Sequence, residues 1–174
     1  MLLQIEISCR KDFINLKPDY IVLEIGVNDA WNLYKDKATF EKTYKALLDT
    51  LTSKTTAKII LVEPFLLPAN EAMKKVCPIE NIDNYHTAVN EMIDSVRKVA
   101  AEKKLPLIYF SEILEQTHKA GATYQSLSSD SIHLTRMASE ILLDQILQKL
   151  NIKGYQAKYE FDFTAIDSKY SQYN

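Results

Sequence analysis

Three short apolar runs alternate with longer stretches of helical periodicity along this sequence, and this alternation constrains the fold more than any other feature. The runs are Tyr20–Ile25, Lys58–Val62 and Pro106–Phe110. Their length and their β-branched content are typical of strands, and the first two are predicted to be buried on both faces. Strands that alternate with helices form a parallel sheet with helices on both sides. We therefore expect a three-layer α/β protein.

The helical stretches lie before, between and after these strands. Helices are predicted over residues 2–16, from Thr39 as an N-cap, through residues 85–100, and over Leu134–Leu150. A further helical turn is expected over Glu112–Lys119, followed by a polar loop over Tyr124–Ser131. The buried sides of the two middle helices are predicted to consist of Phe40, Tyr44, Leu47, Leu48, Leu51, Tyr85, Val89, Met92, Ile93, Val96 and Ala100.

The length of the chain favours a single domain. Its 174 residues suffice for one hydrophobic core but are too few for two comfortable ones. We assign residues 1–150 to this domain and residues 151–174 to a C-terminal tail. Within the tail, Tyr155–Phe163 alternates aromatic and polar side chains, which suits an edge strand or a peripheral ribbon.

Charge and composition argue against several classes of partner. A net charge of −2 gives no electrostatic reason to expect nucleic acid or an anionic membrane. No apolar run has the length of a membrane span, and the N-terminus does not resemble a signal peptide, so the chain as written is expected to be cytoplasmic. A secretion signal, if the gene has one, would lie upstream. Cys9 and Cys77 are too few for a disulfide framework, and three scattered histidines make neither a metal site nor a cofactor site.

Asp130 and His133 form the first candidate for chemistry. A histidine three residues after an aspartate, on a loop entering a helix, can donate one ring nitrogen to the carboxylate and leave the other as a general base. The alternative is structural: Asp130 caps the following helix, and His133 is a surface residue of its first turn.

The segment Gly26–Asp29, which directly follows the first predicted strand, is the second candidate. It is expected to form a loop in which Gly26 permits a sharp turn and a close backbone approach. Asn28 would then present an uncharged amide donor to a developing oxyanion. In the alternative, Asn28 and Asp29 satisfy only local backbone groups. Because ligands bind beyond the carboxyl ends of parallel strands, both candidates are expected at the same edge of the sheet.

The two candidate segments and the residues around them resemble conserved blocks of the SGNH hydrolases, also called GDSL-type esterases and lipases. The segment from Leu16 to Asp29 is similar to their third block, Asp130–Thr135 to their fifth, and Val62–Pro68 to the segment between them. The resemblance covers about residues 2–150 and implies a flavodoxin-like parallel sheet. It also implies roles for individual residues: an oxyanion donor for Asn28, a base for His133, an orienting carboxylate for Asp130 and a brace behind the loop for Asp29.

The sequence departs from this family at its nucleophile. The family's serine lies in a Gly-Asp-Ser motif after the first strand, and no such motif occurs here. The resemblance implies that about two strands and this serine lie upstream of Met1, about forty codons away on ordinary element lengths. The fifth block also has Ser131 where glycine or asparagine is usual and Leu134 where proline is usual.

No serine in the sequence has the setting of a replacement nucleophile, which is a tight glycine turn after a buried strand. The closest is Ser111, just past Phe110. Trp31 and Tyr34 are candidates for lining a substrate pocket, although packing of the loop explains them equally well. His86 is expected inside a helix. His118 is expected near a helix end, where it would interact favourably with the helix dipole. The serines considered are Ser8, Ser53, Ser95, Ser111, Ser126, Ser128, Ser129, Ser131 and Ser139.

Three hypotheses follow. The first is a carboxylic ester hydrolase with a Ser-His-Asp mechanism, acting on a small-molecule, carbohydrate or lipid ester and inactive as this isolated chain. The second is a non-catalytic binding or assembly module. Its exposed strand Tyr20–Ile25 would pair with a second copy, with a separate N-terminal fragment, or with Tyr159–Phe163 folded back. The third is an incomplete gene model, which the nucleotide sequence upstream of Met1 would reveal.

Overall fold

The computed structural model describes residues 14–33, 37–76 and 79–153. The predicted helix over residues 2–16 lies almost wholly outside them, as do the tail strand, Cys9, Cys77 and Tyr34. The described chain divides into two compact units. The first comprises residues up to Phe65 together with Asp83–Ile108, and the second comprises Leu66–Ile82 together with residues from Tyr109 onward.

A small parallel sheet organises the first unit. It consists of β1 (Tyr20–Glu24), β2 (Lys58–Val62) and β3 (Leu107–Ile108), in the order β1-β2-β3. Val22 is in register with Ile60, and Leu61 is in register with Leu107. The α/β class and the parallel sheet are thus as the sequence predicts.

The two longer strands differ in burial. β2 buries its last four residues, as expected of a strand covered on both faces. β1 instead alternates: Ile21 and Leu23 are buried, whereas Tyr20 and Val22 are 42% and 39% exposed. The prediction that β1 is buried on both faces is therefore wrong for the described residues, because only one of its faces is covered there.

Seven helices occur in the described residues. Their bounds are α1 Val27–Leu33, α2 Lys37–Lys54, α3 Glu71–Val76, α4 Ile79–Lys103, α5 Phe110–Lys119, α6 Tyr124–Leu127 and α7 Arg136–Lys149. The side chains predicted to be buried on α2 and α4 are all buried. None of the helices in the described part of the chain combines the length and the apolar character that crossing a membrane requires.

Several boundaries differ from the predicted ones. α2 begins at Lys37, so Thr39 lies inside the helix and does not cap it. The predicted strand Pro106–Phe110 shrinks to the two residues of β3, and Phe110 starts α5. The predicted polar loop Tyr124–Ser131 begins with the single turn of α6. The shortened strand has a clear cause, because apolar content alone does not distinguish a strand end from a first helical turn.

Candidate active site

Asp130 and His133 are in direct contact in the second unit, on the loop between α6 and α7. Asp130 Oδ1 accepts hydrogen bonds from the backbone N–H groups of Ile132 (3.0 Å) and His133 (2.7 Å). Asp130 Oδ2 lies 2.6 Å from His133 Nδ1. Thr135, not Asp130, caps α7, since its hydroxyl accepts from the N–H of Ala138. The structural alternative of a helix-capping Asp130 is therefore wrong.

The electrostatics of Asp130 fix the direction of its bond to His133. Burial raises the pKa of Asp130, but the backbone N–H and the imidazole of His133, followed by the N–H of Ile132, outweigh it and hold that pKa at about 2. At neutral pH the carboxylate is ionised and can only accept hydrogen bonds. Nδ1 must therefore carry the proton, which leaves the lone pair of Nε2 available as a base. The imidazole is reachable, because the side chain of His133 is 79% exposed.

Ser128 anchors this loop from within. Its buried hydroxyl lies 2.7 Å from the backbone oxygen of His133, to which it donates, and 3.3 Å from Asp130 Oδ1. A single antiparallel bridge also pairs Ser128 with Leu134, and the N–H of Thr135 donates to the oxygen of Leu127. The loop that carries Asp130 and His133 is thus closed at its base. The sequence does not predict this anchoring role of Ser128, because the partner of its hydroxyl is a backbone oxygen five residues away.

Gly26 makes the turn after β1 in the first unit. Its φ of +141° is one that L side chains rarely adopt, and an added Cβ would lie 2.9 Å from Pro64 Cγ and 3.3 Å from Met92 Cβ. The close approach expected of this glycine is therefore present. The predicted loop is shorter than expected, however, because α1 begins at Val27 and so contains Asn28 and Asp29.

The side chains after Gly26 divide into exposed and buried. Asn28 is exposed in the first turn of α1, whereas Asp29 is fully buried. Trp31 is 44% exposed and packs edge-on against Tyr85, with ring centroids 5.1 Å apart. Tyr85 also donates its hydroxyl to the backbone oxygen of Val27. Aromatic packing of this segment is thus observed, and a pocket role for Trp31 stays a prediction, as do the roles of Asn28 and Asp29.

The predicted site residues fall into two groups. The structure brings Asp130 and His133 together in the second unit, while Gly26, Asn28 and Asp29 form one continuous segment of the first unit. The other two histidines, His86 and His118, belong to neither group. His86 lies on α4, where burial lowers its pKa. His118 stacks on Tyr124, and its Nδ1 lies 2.7 Å from the oxygen of Ala122. Within the described ranges, no three His, Cys, Asp or Glu side chains cluster closely enough to hold a metal ion.

Most of the candidate serine hydroxyls donate a hydrogen bond to a backbone oxygen. Six of the nine candidates donate to a backbone oxygen: Ser53, Ser95, Ser126, Ser128, Ser131 and Ser139. Ser111 lies in the first turn of α5, two residues after Tyr109, and therefore does not follow a strand at a glycine turn. Ser8 lies outside the described residues.

Known hydrolases are similar to this chain in sequence and in fold. An acetylxylan esterase of Geobacillus stearothermophilus is 25% identical over 158 residues, which cover 85% of this chain and 66% of the esterase, just under two thirds of its length. The crystal structure of an acetylxylan esterase from that organism matches with a TM-score of 0.70 at 18% identity, covering 91% of this chain and 71% of that one. An alpha/beta hydrolase from the Lake Arreo metagenome matches with a TM-score of 0.69 at 20% identity, over 89% of this chain and 70% of that one.

Catalytic mutants of that acetylxylan esterase replace a serine, an aspartate and a histidine by alanine. Its aspartate precedes its histidine by three positions, the spacing of Asp130 and His133 here. The family model of the GDSL-like lipases and acylhydrolases matches residues 8–146, a range that contains both candidate segments and the whole described sheet. A match over this much of the sequence, together with the shared fold, shows that the chain belongs to the GDSL-like lipase/acylhydrolase family.

Proposed function

We propose that this chain supplies the base and an oxyanion donor of a serine ester hydrolase. The observation that carries the proposal is the 2.6 Å contact between Asp130 Oδ2 and His133 Nδ1 on an exposed loop. A carboxylate in this position orients the ring and stabilises the imidazolium that forms during reaction. His133 Nε2 would take the proton of a serine hydroxyl and later return it to the leaving alcohol.

The oxyanion donor that we propose is Asn28, which belongs to the first unit. Its amide is uncharged and exposed, at the carboxyl end of β1. An amide N–H can donate to the negatively charged oxygen of a tetrahedral intermediate without a change in its own protonation. Gly26 supports this assignment, because its tight turn against Pro64 fixes where α1 begins.

The substrate class we propose is an O-acyl ester, with acetyl esters of sugars as the first to be tried. The acetylxylan esterase relative motivates that choice. The nucleophile would be a serine in a Gly-Asp-Ser block, which this sequence lacks. For that reason we expect the 174-residue chain on its own to show no hydrolysis that depends on His133.

An assay with p-nitrophenyl acetate and acetylated xylo-oligosaccharides tests the proposal. The chain alone and its His133→Ala variant are expected to give the same rate, whereas the chain with a Gly-Asp-Ser segment is expected to turn over. That segment is supplied by extending the reading frame upstream or by expressing it separately. Turnover by the isolated chain that disappears in His133→Ala would contradict the inactivity claim. A folded, serine-containing form without turnover on any ester would contradict the hydrolase assignment.

A second candidate function is assembly through β1, and the exposure of this strand favours it. β1 lies at one end of the described sheet, and Tyr20 and Val22 are exposed on its uncovered face. Exposed apolar edge strands pair readily with other chains. We propose a second copy of the chain as the first partner to test.

Size-exclusion chromatography with light scattering measures this association. The chain is expected to elute as a dimer that dissociates on dilution, and Val22→Lys is expected to elute as a monomer because a charge on this face opposes burial. Leu143→Lys is the matched control, since Leu143 on α7 is similarly exposed at 38% and belongs to the second unit, not to the sheet. A wild-type monomer at all concentrations would rule out self-assembly through β1.

A further inference from the structure

Ser131 has an unusual backbone conformation for its residue type. It lies between Asp130 and Ile132 with a φ of +72°, in the left-handed region, and it is only 2% exposed. The left-handed conformation raises the conformational free energy of a residue other than glycine, asparagine or aspartate by about 1 kcal/mol or more. The residue must therefore be held in place by interactions that offset this cost.

Those interactions come from the segment that leads into α3. Ser131 Oγ donates to the backbone oxygen of Pro68 (2.8 Å) and accepts from the N–H of Asn70 (3.1 Å). The backbone oxygen of Ser131 accepts from the N–H of Leu67 (3.1 Å). These three hydrogen bonds all join Ser131 to residues 67–70, which belong to the same compact unit as Ser131.

Asn70 reinforces the connection from the other side. Its Nδ2 donates to the backbone oxygen of Ser129 (2.8 Å), while its Oδ1 accepts from the N–H of Met73 (3.0 Å) in the first turn of α3. One side chain thus ties the loop to a helix end. We call Ser131 and Asn70, with the bonds they make, the loop clamp.

The loop clamp holds the backbone turn between Asp130 and His133, on which the contact between their side chains depends. Only one residue separates Ser131 from His133, and the N–H groups of Ile132 and His133 both converge on Asp130 Oδ1. That convergence requires the chain to turn directly after Asp130, and the left-handed conformation of Ser131 provides this turn. A different φ at this position would direct the two N–H groups elsewhere.

We propose that Ser131 and Asn70 are positioning residues that hold His133 against Asp130 through the backbone turn between them. The effect that we expect on catalysis rests on the proposed ester hydrolase function. The effect on the contact between Asp130 and His133 does not. A glycine at position 131 could adopt the same φ freely but would lose both side-chain bonds, so the turn would become one of several loop conformations.

Carbon-detected NMR titration of the Asp130 carboxyl in the 174-residue chain tests the effect on the contact between Asp130 and His133 without any need for turnover. The hydrogen bonds from the backbone N–H and imidazole of His133 and from the N–H of Ile132 hold the pKa of Asp130 at about 2. In Ser131→Gly and in Asn70→Ser, the pKa is expected to rise by about 1 unit toward the ordinary value of 3.8, since a looser turn weakens those bonds. Asn70→Ser keeps an N-cap oxygen for α3 but removes the donor to Ser129, and it adds no charge.

Ser126→Ala is the matched control, because Ser126 is as buried as Ser131 but donates only within its own turn, to Thr123. It is expected to leave the pKa of Asp130 at about 2. Circular dichroism verifies that each variant is folded. An unchanged Asp130 pKa in folded Ser131→Gly and Asn70→Ser would overturn the proposal, whatever the outcome of the esterase assay. In a serine-containing active form, the same variants are expected to lower kcat about tenfold with KM unchanged.

Discussion

Replacing His133 by alanine in a serine-containing active form is expected to lower kcat by about 10⁴- to 10⁶-fold, because the serine then lacks a base for its proton. Asp130→Asn is expected to lower kcat by about 10⁴-fold through a different route. An amide can donate to Nδ1 as well as accept from it, so the ring would no longer be held with its proton on Nδ1 and its lone pair on Nε2. Steady-state kinetics on p-nitrophenyl acetate measure both changes.

Protein stability separates these losses from misfolding. His133 is 79% exposed at its side chain, so His133→Ala is expected to leave the thermal midpoint of unfolding nearly unchanged. His86→Gln is the control for kcat, since His86 lies on α4 in the first unit and has no proposed role. A serine-containing form whose kcat falls less than tenfold in His133→Ala would contradict the assignment of His133 as the base.

Replacing Arg97 by methionine is expected to lower the free energy of unfolding by about 3 kcal/mol, the lower end of the cost of removing one partner from a buried ion pair. Glu63, directly after β2, has a fully buried side chain. The guanidinium of Arg97 on α4 contacts both of its oxygens, with Nε 2.7 Å from Oε2 and Nη2 3.2 Å from Oε1. The lower end applies because Arg97 keeps a third of its side-chain surface exposed to solvent, which screens the pair.

Urea unfolding of Arg97→Met and of Lys98→Met measures this difference. Lys98 is the neighbouring residue on the same helix, and its bond to Glu41 is more exposed, so its loss is expected to cost under about 1 kcal/mol. Arg97→Lys is expected to fall between the two, because an ammonium cannot make the two-point contact. Equal unfolding midpoints for Arg97→Met and Lys98→Met would show that the pair contributes no more than a surface ion pair.

The sequence identifies those parts of the protein that depend on residues close together in the chain. Periodicity locates the buried faces of α2 and α4, and β2 has the predicted bounds of Lys58–Val62. The spacing of Asp130 and His133 predicts their contact, since three intervening peptide bonds leave the two side chains within reach of each other. Gly26 directly after the strand predicts a tight turn, because L side chains rarely adopt a φ such as its +141°.

The ends of a strand depend instead on the neighbouring strand with which it pairs. The run Pro106–Phe110 contains enough apolar residues for a five-residue strand, yet only Leu107 and Ile108 pair with β2. Ile108 already pairs with Val62, the last residue of β2, and the chain turns into α5 from there. The length of β3 is therefore limited by a strand more than forty positions earlier in the sequence, which its own composition does not encode.

The fold family, the alternation of the three strands with the longer helices, and the candidate residues Asn28, Asp130 and His133 were determined by the sequence alone, because each rests on local patterns or motifs. The short helices α1, α3 and α6 were not predicted. Tertiary structure decided how Asp130 and His133 are held. The sequence shows only a serine where glycine or asparagine is usual. Pro68 and Asn70, which bind it, lie more than sixty residues away along the chain. Such bonds depend on which segments fold against one another, and a left-handed serine is tolerated only where they form.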